Sequence, residues 1–301
     1  MEKCLDQRAL DLLSGIDAGL TLAVMSAVGG RDNYLALASG DKKAVIEEVM
    51  RIWFDKNGRG IPFPEMQGRT ADADRSFHLT QPEVDYAGVL ARMQKFYGEG
   101  YVFMFAKEFQ LRCEAVLNWI CGNPQIANLL KGSYFPWVLP QLKGDLGKML
   151  DVEMIPAMEQ SYRAEFSNRN FTNYRHGELE GQVTVVDGTR QNLLVEAMAT
   201  GSVCGVYFPA LQGFSIPADR EFITRMPEEM ILAGMEIPAV VTAYPKICGR
   251  DWYTPGLDMA SLLWRSSEYS LDFKAYGGNA SFGFRILEAD GRYAGGVSFL
   301  G

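Results

Sequence analysis

The clearest pattern lies at the end of the chain, where apolar and polar residues alternate. Tyr269, Leu271, Phe273 and Ala275 interleave with Ser270, Asp272 and Lys274; after Gly277-Gly278, Ala280, Phe282, Phe284 and Ile286 interleave with Ser281, Gly283 and Arg285. Asp290-Gly291 then leads into Tyr293, Val297 and Phe299. Period-2 alternation predicts strands with one face buried, and Gly-Gly and Asp-Gly suit the primed turns that join twisted strands. A hairpin closed on Gly277-Gly278 sets Phe273 opposite Phe282 and Leu271 opposite Phe284. Closing the next on Asp290-Gly291 sets Phe284 opposite Val297 and Phe282 opposite Phe299. The expectation is a three-stranded antiparallel meander over about 269–299, with Ser270, Asp272, Lys274, Ser281 and Arg285 on its other face, turned to solvent or a polar partner.

Upstream the period changes to that of helices. Thr80-Gln81-Pro82-Glu83 matches a capping box, followed by Tyr86, Val89, Leu90, Met93 and Phe96 at helical spacing until Gly98. Phe105, Phe109, Cys113, Val116, Leu117 and Ile120 predict a second, centrally placed helix ending at Gly122. Val45, Val49, Ile52 and Trp53 predict another, and Leu142, Leu146, Met149 and Leu150 one that Pro156 ends or kinks. Beyond a polar stretch at 167–181 come a strand at 182–186, a helix capped by Thr189 and closed by Gly201, and a strand from Val203. That β-α-β spacing permits a parallel crossover. A helix over 219–225, a strand over 239–244 and a short helix or buried strand over 258–264 complete the reading. The fold class is α+β: a mainly helical region, 1–166, followed by an α+β region, 167–301, as two domains or one continuous one.

Composition narrows the function classes. The 301 residues are 48% hydrophobic, ample for a core, with a net charge of −8. The charge is even, with 18 basic and 22 acidic residues through Phe166 and 11 and 15 after it, so −4 in each part. No basic stripe is available to neutralise phosphates, which argues against nucleic acid and against an anionic membrane surface. Five cysteines without a CxxC pair (Cys4, Cys113, Cys121, Cys204, Cys248) read as reduced thiols. The apolar stretch 18–29 is too short to span a bilayer and no basic segment precedes it, so the expected location is cytoplasmic.

Candidate chemistry is sparse. Asp55-Lys56-Asn57-Gly58-Arg59-Gly60 invites comparison with a calcium loop, but the fifth and twelfth ligand places hold Arg59 and Met66; it reads instead as a helix C-terminus turning into an extended segment. With only His78 and His176, no multi-histidine metal site can be built, and neither metal nor cofactor is expected. No nucleophile elbow, P-loop or dinucleotide fingerprint occurs. His176 is the candidate general base, with Glu178 or Asp251 as helper and Arg175 as a bidentate anion contact. Trp252 and Tyr253, in a loop bounded by Gly249 and Gly256, are candidate ligand-binding aromatics. Trp264-Arg265-Ser266-Ser267-Glu268-Tyr269 with Phe282-Gly283-Phe284-Arg285 resembles the end of the formylglycine-generating and C-type-lectin-like domains; the helical first half departs from that pattern, and no site residue is carried over.

These observations predict a soluble, acidic, non-catalytic binding or protein-interaction protein, acting on a protein or a small molecule. The alternatives are a hydrolase or transferase using His176, and a structural subunit of a larger assembly of viral or secretion type, for which an oligomeric state is open.

Overall fold

The computed structural model describes residues 31–38, 52–71, 79–251 and 253–301. Contacts divide the chain into two compact units, Met1–Met50 and Arg51–Gly301. In the first, the described residues form one helix, α1 (Arg31–Ala38). The expected helix around Val45 and Val49 lies outside the described residues, and its last members, Ile52 and Trp53, are extended.

The second unit is α+β. Its helices begin with α2 (Tyr86–Tyr97) and α3 (Ala106–Cys121), followed by a 3-10 turn (Ala127–Lys131) and strand β1 (Phe135–Leu139). The sequence places α2 correctly but not its cap: Asp85 accepts from the Gly88 amide at 2.9 Å, and 80–83 lies outside the helix in no regular element. A side chain one residue before the first turn reaches the orphan N–H groups, whereas Thr80 stands too far upstream. Phe109, Cys113, Val116 and Ile120 form the buried stripe of α3, which packs on β4, described below. Helix α4 (Leu146–Met149) passes through a π turn (Leu150–Met154) into α5 (Ile155–Glu165). Pro156 therefore does not end this helix; it stands at the head of α5, and the π turn preceding it absorbs the missing N–H.

Next come β2 (Phe171–Asn173), β3 (Val183–Val185), α6 (Gln191–Thr200), β4 (Val203–Gln212), α7 (Ile216–Ile223), β5 (Met230–Leu232), α8 (Ile237–Ala243) and α9 (Pro245–Cys248). The chain closes with β6 (Gly256–Asp258), β7 (Leu262–Trp264), β8 (Tyr269–Tyr276), β9 (Asn279–Ile286) and β10 (Tyr293–Leu300). Three further expectations change. Thr189 donates to the Val186 carbonyl instead of capping α6, whose first turn follows Arg190 at φ 60°. The residues read as a strand at 239–244 are the helix α8, started by Pro238 and buried on every side, a setting in which β-branched residues carry no periodic signal. No parallel crossover links β3 to β4: β3 pairs with β7 in a separate two-stranded sheet.

The main sheet has eight strands in the order β1-β4-β10-β6-β8-β9-β2, with β5 also on β10. The Gly277-Gly278 hairpin has the register read from sequence, Phe273 opposite Phe282 and Leu271 opposite Phe284. The third strand of the expected meander is present but sits elsewhere. β10 pairs with β4, β5 and β6, while the free edge of β9 is taken by β2. Asp290 accepts from the amide and guanidinium of Arg292, so this segment forms a loop and not a two-residue turn. Tyr293 to Phe299 is buried at every position, which suits a central strand with both faces covered better than the edge of a meander. Asp55-Gly60 is likewise a tight turn between bridged Phe54 and Gly60, its Asp55 carboxylate accepting from Asn57 and Arg59, not a helix end.

Helices α2, α5 and α8 pack together, with α8 also on β1. Rings of Trp137, Phe135, Phe208, Phe273, Phe282 and Phe299 are buried in the core, each worth about 1.5–3 kcal/mol in transfer from water.

Candidate functional site

Sheet register puts an unusual set of side chains on one face. Asp258 on β6 lies opposite Asp272 on β8, Ser270 opposite Arg285, Lys274 opposite Ser281, Ser281 beside Thr172, and Tyr293 beside Gly256. This is the polar row expected to meet solvent, and most of it does not: Ser270, Asp272 and Arg285 are buried. Helix α7 packs on β5 and β10 of the same sheet, with Ile216, Phe222 and Ile223 buried at helical spacing together with Asp219. The Asp219 carboxylate fills the space where a side chain on Gly295 would lie, 2.3–2.5 Å from that Cβ position, so β10 needs glycine there.

The result is a charged layer inside the protein. Arg285 donates to Asp258 at 2.9 Å, reaches the Glu288 carbonyl, and lies over the Tyr293 ring at 4.2 Å. Asp272 stands 3.9 Å from the Lys274 ammonium, which donates to the Tyr293 hydroxyl at 3.1 Å. Both oxygens of Asp219, and one of Asp258, have no hydrogen-bond partner among the described residues. Burial pushes the Asp258 carboxyl up to about 7 despite Arg285, and raises Asp219 well above the carboxylate range, with Asp258 adding to the effect. Burial also raises Asp272, against the pull of Lys274 and Arg285. For Lys274, burial works downward, but Asp272 and the Tyr293 hydroxyl outweigh it and hold the ammonium charged. Among the described residues, no group of three or more His, Cys, Asp or Glu is placed to hold a metal ion.

Above this layer, at the Gly277-Gly278 end of the hairpin, opens a cleft of about 650 Å³. Its lining is mixed, with polar side chains from Asn170, Thr172 and Tyr174 of β2 and its flanks, Lys274 and Tyr276 of β8, Asn279 and Ser281 of β9, and Thr254, Arg292 and Tyr293. The Asn170 backbone is held to β9 at both its groups: its carbonyl accepts from the Ala280 amide and its own amide donates to the Asn279 side-chain oxygen, both at 2.9 Å. Tyr174 and Tyr276 stand exposed at the rim. No carboxylate lines the cleft among the described residues.

The residues singled out from sequence fall in three places. Arg175 lies 5.1 Å from the Trp264 and Phe284 ring centroids and donates to Glu178 at 3.0 Å. Glu178 also accepts from Arg265 at 3.0 Å, so it belongs to an ionic cluster on the β3–β7 side. His176 is exposed, its Nδ1 3.8 Å from Oδ1 of buried Asp151 in the π turn. Asp251 accepts from Arg250 and from the Tyr253 amide within its own loop. Tyr253 is exposed, and Trp252 lies outside the described residues, as does His78. The two segments do meet one cleft, through the neighbours of the named residues: Tyr174 next to Arg175, and Thr254 next to Tyr253. Asp219 and Asp258 went unnoticed, although an aspartate in register with Ile216, Phe222 and Ile223 on a helix is a readable signal of a buried acid.

Cys113, Cys204 and Cys248 are buried free thiols and Cys121 is an exposed one. Among the described residues no helix is long and apolar enough to cross a membrane. The chain matches no protein-family model, no curated protein and no solved structure.

Proposed function

We propose that the protein binds a small, hydroxylated molecule in the cleft over β2, β8 and β9, and does so without transforming it. The observation that carries this reading is the composition of the lining: hydroxyl, amide and ammonium groups on paired strands, with two exposed tyrosines at the rim. Such groups satisfy the donors and acceptors of a polyol or sugar, and the tyrosine faces offer apolar contact to its ring. The lysine is kept protonated by Asp272 and Tyr293, which fits an electrostatic contact and not a base or nucleophile. Ligand-observed NMR with a panel of monosaccharides, polyols and nucleosides tests it. Saturable binding is expected, and Ser281→Trp, which fills the cleft, abolishes it while shifting the melting temperature by only a few degrees. Binding unaffected by Ser281→Trp would place the ligand elsewhere.

A second reading, a hydrolase or transferase acting through His176, is favoured by one contact. Asp151 is buried, its Oδ1 has no hydrogen-bond partner and faces His176 Nδ1, and a carboxylate in that place orients an imidazole with its other nitrogen toward solvent. On this reading His176→Ala lowers turnover by about 100-fold or more in an assay that detects it. Unchanged turnover removes the reading.

A further inference from the structure

We propose that the ligand of this cleft carries a phosphate group, seated at the end formed by Lys274, Tyr293 and Ser281. The inference rests on the cleft reading above and deepens it by naming the ligand's charged part. Three features of the geometry support it. Lys274 uses one of its three ammonium donors on Tyr293 and stands outside hydrogen-bond distance of Asp272, so two donors remain for a guest. The Tyr293 hydroxyl, which accepts from Lys274 and also acts on Asp272, fixes the ammonium at this end of the cleft. Ser281, opposite Lys274 across the β8–β9 pair, and Thr172 beside it add hydroxyl donors on the same face.

The choice of phosphate over carboxylate follows from how these donors are arranged. A planar carboxylate needs the bidentate fork of an arginine more than phosphate does, since phosphate is also held by a lysine point charge, and the one arginine lining the cleft among the described residues, Arg292, has its fork closed on Asp290 through contacts of 3.1 and 2.7 Å. What remains is a point charge ringed by single hydroxyl donors, which suits a tetrahedral anion with several acceptor oxygens. The protein's overall charge of −8 repels anions, so a lining with no carboxylate is a local departure from its surface.

Calorimetric titration of the whole chain at low ionic strength, with ribose phosphate, glucose phosphate, inorganic phosphate and the two parent sugars, decides the matter. At least one phosphate ester is expected to bind about tenfold or more tightly than its parent sugar, the scale of a hydrogen bond to a charged group. Inorganic phosphate is expected to compete for the same site. Lys274→Met is expected to remove the difference between ester and parent. Tyr293→Phe, which keeps the ring beneath Arg285, is expected to weaken the ester a few-fold more than the parent and serves if Lys274→Met does not fold. Equal affinity for ester and parent overturns the phosphate inference and leaves the cleft reading standing. Absence of binding by every compound overturns both.

Discussion

Replacing Arg285 by methionine is expected to destabilise the protein by about 3–5 kcal/mol at pH 8, the range for breaking one side of a buried ion pair. Its guanidinium and the Asp258 carboxylate are both buried, at 8% and 0% side-chain exposure, so no water can replace the lost partner. The same substitution leaves the Glu288 carbonyl without its donor and takes the cation from above the Tyr293 ring. Asp258 would then share its pocket with Asp219 and Asp272 with no cation in contact, and would respond by taking up a proton. Two further results are therefore expected in urea denaturation. The loss shrinks at pH 5, where Asp258 is protonated in any case, and the double variant Asp258→Asn, Arg285→Met recovers part of the stability. A loss below about 1 kcal/mol at pH 8 would mean that the pair contributes little and that the layer is wetter than its burial indicates.

The second expected result is an inverted dependence of stability on pH across neutrality. Asp258 titrates at about 7 in the folded protein and Asp219 lies well above the carboxylate range, both because burial disfavours the charged form. In the unfolded chain both ionise near pH 4. Between these limits the folded state holds protons that the unfolded state has released, so stability decreases as pH rises through the window. The slope is about 1.4 kcal/mol per pH unit for each proton held. Asp272 and Glu236, also raised by burial, act in the same direction. Asp290 is lowered by its Arg292 hydrogen bonds and acts oppositely, but only where it titrates, below the usual carboxylate range. Denaturation at pH 5 and pH 8 should differ by a few kcal/mol in favour of the acid side, a gap that Asp219→Asn narrows. Stability that is level or rising from pH 5 to pH 8 contradicts the protonated layer.

How far the sequence could be read follows the range of each interaction. The β8–β9 hairpin was legible because two adjacent glycines fix the turn and a one-residue slip would expose Phe273 and Phe282. The same alternation misled for β10. Tyr293-Ala294-Gly295-Gly296 is small and apolar toward both faces, so local pattern cannot say that Asp219 and Tyr207 press against its glycines. The α8 residues, buried all round, lacked a period and read as a strand. The proposed cleft draws on the expected segments but not on the residues named in them. Polar composition pointed to the stretches around 175 and 252, whereas the cleft takes Tyr174 and Thr254 from them and its floor from β8 and β10.

By itself, then, the sequence determined the class of fold, most helices, and the strands and register of the hairpin, because these depend on contacts within a dozen residues. Only the tertiary structure decided that β10 enters the centre of the sheet, that α7 lays Asp219 against Gly295, and that the polar face of the hairpin becomes an interior charge layer beneath a cleft. The physical reason is that burial of a polar row depends on what packs against it in three dimensions, beyond the reach of any local periodicity.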